Sequence, residues 1–425
     1  MSEAGSFAGR RALLAYSAYL GHGQIAHGPR TPATGHNRVM PAGTAVWRDQ
    51  LTADESTQLV RGARVIAQPR PDVLVVGGGM VGVATAASCY QAGAGSVLLI
   101  EAGTLGSGAT GGAAGLLVPE AHAWSDPEPF VALARLSLEL WRQLEQIVPG
   151  AVGLTELNWI GLPPDPGATS PRQSPDAEQL DAGQVASLIP ALATPAAGVL
   201  IRRQARVNPL RALARLAAVV PSIATGTAAI SVTVKGGRLV TVSTTAGDIH
   251  PGAVVFATGM PPQLQGLTAG LPASLVKGHL LVTEPSPVRL PGTVASVATQ
   301  LEDGRLLAGG TLDTSDDSPG VRQEVIDAIL ADLYAQLPDL TGLRAAYQWC
   351  CFRPWHPDGY PVIDQLPGLD NAWLTSGHFR TGILMAPITA QMITRWISTG
   401  RPPPEVAPWA STRFAHQGNT RGASN

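Results

Sequence analysis

A short apolar run, Val73-Leu74-Val75-Val76, ends in three glycines, and this junction constrains the chain more than any other feature. Four β-branched or aliphatic residues in a row fit a strand buried on both faces. The next residues, Gly77-Gly78-Gly79-Met80-Val81-Gly82, satisfy G-x-G-x-x-G, and the Ala-rich stretch to Ala92 suits a helix packed closely on a sheet. A second apolar run, Val97–Ile100, ends at Glu101. Together they predict a βαβ unit that binds a dinucleotide. Gly77 permits the tight turn, Gly79 lets backbone approach a pyrophosphate, and Gly82 allows close helix–strand packing. The helix N-terminus offers N–H groups and its positive dipole end to phosphate, and Glu101 is placed to take ribose hydroxyls.

The segment after Glu101 narrows the ligand. Gly103 to Leu117 is built almost wholly of small residues. The ribityl chain and pyrophosphate of a flavin must be passed closely by backbone, and small side chains allow that. Farther on, Ala253–Phe256 reads as another buried strand, ending at Ala257-Thr258-Gly259. Ala372–Ser376 reads as the last strand, and Gly377–Leu384 leads from it into a helix from about residue 383 to 398. A helix start aimed at a flavin ring would stabilise the charge that builds there on reduction.

Between these landmarks the pattern predicts a helix near 53–66 and an amphipathic helix over 127–148, with Leu133, Leu136, Leu140, Trp141, Leu144 and Ile147 on one side. It also predicts an exposed loop over 163–175, a helix over 209–220 and a hairpin turning at Gly236-Gly237. Further strands fall in 277–311, and a helix carries Val325, Ile326, Ile329, Leu330, Leu333 and Leu337. The 425 residues hold 45% hydrophobic and only 14% charged residues, enough for a large core and two or three domains. A net charge of -2 gives no electrostatic case for nucleic acid or an anionic membrane. No apolar run reaches the ~18 residues of a membrane span. Arg10-Arg11 before a short apolar run is too interrupted for a twin-arginine export signal. Three cysteines, Cys89, Cys350 and Cys351, show no metal spacing and no disulfide framework, so a cytoplasmic protein without metal is expected.

The chain resembles the D-amino-acid oxidase superfamily of FAD-dependent oxidoreductases, and within it the glycine oxidases of thiamine biosynthesis. The resemblance runs from about Asp72 to Gly400. It is carried by Val76–Gly82, by Glu101–Leu117, by Phe352-Arg353-Pro354 with Asp358-Gly359-Tyr360-Pro361, and most specifically by Gly377–Pro387. It implies an α/β fold: an FAD/NAD(P)-binding Rossmann-like domain assembled from separated segments, plus a substrate domain with a mixed sheet. The segments expected in the FAD domain are 71–120, 200–265 and 346–405. Residues 121–199 and 266–345 are expected in the substrate domain, with an extension over 1–70 and a tail over 406–425.

By the same resemblance Gly77, Gly79, Met80, Val81, Gly82, Glu101, Ala102, Ala109, Thr110, Ala114, Gly115 and Leu116 match positions that contact FAD. So do Val207, Gly259 and the loop His378, Phe379, Arg380, Thr381, Gly382, Ile383 and Leu384. Arg353 matches the arginine that grips a substrate carboxylate, and Arg380 a second residue near the substrate. A planar guanidinium fork suits a carboxylate and stays charged when buried. A structural ion pair is the other reading of Arg353.

The implied reaction is oxidative deamination of glycine or a similar small amino acid, through an imine to a keto or aldehyde acid and ammonia, with O2 reduced to H2O2. It calls for positioning more than for an acid–base residue. A D-amino-acid or sarcosine-type oxidase or dehydrogenase stays open, as does a flavin-binding subunit of a multi-component complex, like hydrogen cyanide synthase. The implied partners are a small amino acid or amine, O2 or an electron acceptor, and a second copy of the chain. Two departures weaken glycine as the substrate or change the flavin's attachment. Val297 stands where glycine oxidases carry an aromatic residue near the substrate. Cys351 falls close to where sarcosine-oxidase relatives attach FAD covalently, although non-covalent FAD is the preferred reading.

Overall fold

The computed structural model describes residues 42–62, 66, 69–148, 151–162 and 177–417. The Arg10-Arg11 segment and the loop expected over 163–175 lie outside them.

Two sheets organise the chain. The first has six strands in the order Val362–Gln365, Ala372–Ser376, Ala253–Gly259, Val73–Val76, Val97–Ile100, Ser222–Ala224. All neighbours are parallel except the Val362–Gln365 edge strand. The two strands predicted first are buried at every position, as a sheet covered on both faces requires. Helix Met80–Gln91 covers one face. It packs on helix Ala386–Thr399, where the Thr394 hydroxyl donates to Ser88 Oγ at 2.9 Å.

The second sheet is mixed and ten-stranded. Its path runs Ala42–Thr44, Ala345–Trp355, Ser274–Thr283, Leu306–Gly309, Ala298–Gln300, Gly292–Val294, Thr155–Gly161, Gly198–Arg206, Leu116–Leu117, and the tenth strand, Ala177–Leu180, pairs with Gly198–Arg206 off this path. Strands Gly198–Arg206 and Ala345–Trp355 open the segments expected in the FAD domain from 200 and 346, yet both belong to this large sheet. One face of it meets the dinucleotide-binding half through Leu280, Leu301, Leu307 and Trp349. The other face packs on helices Ala182–Leu188 and Gln323–Gln336.

Three local expectations change. The helix predicted over 53–66 spans Ala53–Leu59. The helix predicted over 127–148 forms as Glu128–Ile147, but Leu136 and Ile147 point outward, 54% and 63% exposed. Its buried face runs through Phe130, Leu133, Ala134, Ser137 and Trp141. A hydrophobicity count misses that face because Ser137 sits at its centre, with its hydroxyl donating to the Leu384 carbonyl at 2.6 Å. The expected tail, for its part, winds back over residues 404–417, where Arg413 donates to Asp358 at 2.6 Å and Ser411 to Asp364 at 2.6 Å.

Candidate functional site

The glycine-rich junction separates into two kinds of glycine. Gly77 has φ +118°, which only glycine adopts at no cost, and a Cβ there would overlap the Ala257 carbonyl. A Cβ on Gly82 would overlap the Gly77 carbonyl oxygen. Both glycines serve the packing of strand and helix. Gly79 is different. It stands at the N-cap of helix Met80–Gln91 with ordinary φ -78° and, as glycine, supplies no side-chain cap of its own, and a Cβ would meet only Thr110 Oγ1 at 3.4 Å. Nothing in the protein requires glycine there, whereas a pyrophosphate drawn up to the helix N-terminus would.

The separated segments converge here. Glu101 accepts from Gly78 N–H at 2.7 Å and Gly103 N–H at 2.6 Å, which holds the carboxylate at the strand end with further lone pairs to offer. Ala102 follows it directly, half-buried. Val81 is half-buried in the first turn of the helix, beside Met80, whose N–H donates to Thr110 Oγ1 at 3.0 Å. Thr110 lies in the 3-10 turn Ala109–Gly112. Gly115 has φ +76°, its carbonyl accepts from Val207 N–H at 2.9 Å, and a Cβ would overlap the Val207 carbonyl. Ala114 is half-buried before it, and Leu116 pairs with Arg206.

On the far side Gly259, with φ +78°, accepts from Gly377 N–H at 2.8 Å. Phe379 holds φ +48°, a strained conformation for a non-glycine residue, while its N–H donates to the Pro354 carbonyl at 2.8 Å. His378 is buried against Thr389 Oγ1 at 3.2 Å, and burial pulls its pKa down to about 3. The Thr381 hydroxyl donates to the His378 carbonyl at 2.8 Å. Gly382 follows, and Trp141 Nε1 then fastens the Ile383 and Leu384 carbonyls at 3.1 and 3.2 Å. Backbone donors and small residues from these separated segments meet here, with the Gly377–Leu384 loop beside them.

Strand Ala345–Trp355 meets these segments. Trp349, Cys351 and Arg353 alternate onto one face. Trp349 Nε1 donates to the Gly112 carbonyl at 3.0 Å, and the Cys351 thiol donates to the same oxygen at 3.4 Å. Arg353 is 9% exposed, and among the described residues its guanidinium donates from Nη1 to the Thr311 carbonyl at 2.8 Å. Among the described residues no carboxylate lies within ion-pair distance of it. Burial and the nearby positive charge of Arg380 pull its pKa below the ordinary arginine value.

Residues that the sequence did not single out complete this arrangement. A Cβ on Gly278, opposite Cys351 in the ladder, would overlap the Arg353 guanidinium. Glycine inside a strand marks such an approach, and the run Lys277-Gly278-His279 carries that signal. Thr311 leads a loop pinned behind the strand. The wholly buried Lys277 ammonium donates to Asp316 Oδ2 at 2.8 Å, to the Ser318 carbonyl at 2.8 Å and to Ser318 Oγ at 2.9 Å. His279 N–H donates to Thr311 Oγ1 at 2.9 Å, and His279 Nε2 accepts from Arg322 N–H at 3.1 Å.

Burial first, then Lys277 and Arg322, lower the His279 pKa from 6.5 to about 4 against the opposing pull of Asp316 and Asp313. The unfolded chain therefore takes the proton first. The stability His279 contributes is full above about pH 6.5 and falls as pH drops towards 4. Asp316, whose pKa is also lowered, adds a loss at still lower pH. Thermal melts of the wild type should fall between neutral pH and pH 5, and His279→Gln should show a shallower fall.

Val297 packs in a cluster with Val294, Ala298 and Leu306. Cys89, Cys350 and Cys351 are all buried, and none of them forms a disulfide among the described residues. Among the described residues no cluster of His, Cys, Asp or Glu could hold a metal ion, and no helix is long and apolar enough to cross a membrane.

Comparison with known proteins decides the family. A model of the DAO family, described as FAD dependent oxidoreductase, matches residues 72–396. The chain belongs to the DAO family of FAD-dependent oxidoreductases. Its relatives include a glycine oxidase of Pseudomonas putida, 27% identical over 357 residues, covering 80% of this chain and 97% of the relative. The hydrogen cyanide synthase subunit HcnC of Pseudomonas aeruginosa is 28% identical over 201 residues, 44% of this chain and 47% of that protein. The crystal structure of glycine oxidase from Geobacillus kaustophilus superposes with a TM-score of 0.70 at 26% identity, covering 81% of this chain and 99% of the other. The mixed α/β fold expected from sequence is the fold of this family. The matched region begins at residue 72, after the segment 42–62.

Proposed function

We propose that this DAO-family protein oxidises a small amino acid, glycine foremost, to an imine that water hydrolyses to the oxo acid and ammonia, with O2 as electron acceptor. The observation that carries the reading is Arg353. A buried guanidinium with no acidic partner is costly unless an anion joins it, and a second arginine close by deepens the demand. A substrate carboxylate supplies that anion and gains a bidentate hold. The structural ion-pair reading finds no carboxylate for it among the described residues. FAD, when bound, supplies the hydride acceptor. Gly77–Gly82, Glu101, the Ala109–Leu116 loop, Val207 and Gly377–Leu384 would hold it.

The protein's own contribution is orientation. Thr311 and Gly278 fix the guanidinium, which fixes the carboxylate and so the adjacent Cα–H. The buried imidazoles around the loop are held neutral: burial lowers the pKa of His356 and brings that of His378 to about 3. Neither is poised as a base near neutral pH, in keeping with a mechanism that takes the amine already uncharged. The relatives named as glycine oxidases support glycine. The HcnC relative supports a second reading, a flavin-binding subunit of a multi-component complex with little activity alone.

FAD is held non-covalently in this reading. Burial raises the Cys351 pKa, so the group persists as a thiol hydrogen-bonded to Gly112, and the thiolate is the reactive form. Acid precipitation should leave the yellow colour in the supernatant; flavin remaining with the pellet would refute this. Function is tested by anaerobic bleaching of the purified flavoprotein with glycine, sarcosine and D-alanine. Bleaching by glycine with peroxide formed in air is the expected result. No bleaching with any amine would overturn the stand-alone enzyme.

A further inference from the structure

We infer that residues 42–62 form a strap that holds the flavin-binding loop from outside, with Trp47 as its fastening. This rests on the reading of the Gly103–Leu117 loop as the FAD cradle, and it concerns residues that precede the family match.

Trp47 is fully buried. Its Nε1 donates to the Ala113 carbonyl at 2.8 Å, the neighbour of the Gly112 carbonyl that Trp349 holds. The two indoles meet edge to face, with centroids 6.4 Å apart. One ring comes from the strap and the other from the large sheet, and they grip consecutive peptide units of the loop. The strap also holds the loop's other end, where Leu105 N–H donates to the Leu59 carbonyl at 2.9 Å.

Between those two points the strap engages the residues after Val207. Asn208 Nδ2 donates to the Trp47 carbonyl at 3.0 Å and to Gln50 Oε1 at 3.1 Å. Asn208 Oδ1 meanwhile accepts from Leu210 N–H and Arg211 N–H, capping helix Pro209–Ala217. Helix Ala53–Leu59 begins with a reciprocal Thr52–Glu55 capping box. The Glu55 carboxylate, 2% exposed, pairs with Arg215 at 2.8 Å and Arg211 at 3.4 Å on helix Pro209–Ala217. Arg61 closes the strap on the Val220 and Pro221 carbonyls at 3.2 and 3.0 Å.

The physical need is clear from the loop's composition. Gly103, Gly106, Gly108, Gly111, Gly112 and Gly115 must all be ordered before the loop can receive a ligand, and glycine loses the most backbone freedom on ordering. Few side chains in the loop can anchor it. Donors supplied from outside lower that ordering cost ahead of binding, and so raise affinity without touching the ligand.

The test uses the full chain. FAD is stripped from wild type, Trp47→Phe and Glu55→Gln, and its rebinding to each apoprotein is titrated by flavin fluorescence, beside apoprotein melts. Trp47→Phe keeps a buried ring but removes the donor to Ala113, so FAD should bind roughly five- to a hundredfold more weakly. Glu55→Gln should weaken binding less. Lower melting temperatures with unchanged FAD affinity would overturn the strap, leaving residues 42–62 a merely stabilising element. A wild type that takes up no FAD would instead overturn the cofactor reading itself. Should Trp47→Phe not fold, hydrogen exchange on the wild-type apoprotein decides. Amides of residues 111–115 should be protected together with those of 47–59; loop amides that exchange freely beside a protected strap would refute the proposal.

Discussion

Replacing Arg353 by methionine is expected to lower kcat/KM for an amino acid substrate by roughly thirty- to several-thousandfold, the ~2–5 kcal/mol that a desolvated charge pair carries when one partner is removed. FAD content should hold, because Arg353 contacts the Thr311 carbonyl and not the glycine-rich cradle. The melting temperature of the apoprotein should also stay close to that of the wild type. The substitution removes a buried charge that has no counterion among the described residues, and the lost hydrogen bond to Thr311 costs only about 1–3 kcal/mol in return. A structural ion pair predicts the reverse, a large loss of stability with little change in substrate selectivity. Arg353→Lys keeps the charge without the planar fork, and is expected to recover only part of the activity. Steady-state kinetics, flavin absorbance and thermal melts on the three proteins separate these outcomes.

The second large effect separates two glycines three residues apart. Gly82→Ala drives a methyl into the Gly77 carbonyl, where backbone must move to make room. A destabilisation of about 3 kcal/mol or more is expected, visible in the apoprotein without any ligand. Gly79→Ala meets only Thr110 Oγ1 at 3.4 Å and costs the fold little. Its methyl would stand where a pyrophosphate must approach the helix N-terminus, so FAD should bind at least about tenfold more weakly. Apoprotein melts paired with FAD titration check both. Equal FAD affinity in Gly79→Ala and wild type would move the phosphates away from this helix.

The dinucleotide-binding half was legible because its signals are local. A strand buried on both faces must be continuously apolar, the turn after it must be glycine, and the acid must end the next strand; each is a statement about neighbours in sequence. Val73–Val76, Met80–Gln91, Val97–Ile100 and Ala372–Ser376 therefore form where their patterns put them. The face of helix Glu128–Ile147 was less legible. A serine lies at its centre, and only the packed partner, the Leu384 carbonyl, explains it. Val297 was singled out only because the resemblance puts an aromatic residue there near the substrate; its packing with Val294, Ala298 and Leu306 is a tertiary fact that its own neighbours in sequence do not carry.

Arg353 marks the boundary between the two kinds of information. From sequence alone it was an arginine that could clamp a carboxylate or pair with one inside the protein, because the partner of a guanidinium is a long-range fact. Strand pairing, the Thr311 loop held by Lys277 and the closeness of Arg380 decide that it stands buried with no acid within ion-pair distance among the described residues. The same holds for the first 70 residues, whose composition assigned them no role: Trp47 acquires one only because the fold carries Ala113 to its ring nitrogen. The sequence by itself determined that a strand, three glycines and a helix near Asp72 would make a dinucleotide cradle, since backbone sterics act between adjacent residues. Only the tertiary structure decided what faces that cradle, since burial and charge pairing act between residues hundreds of positions apart.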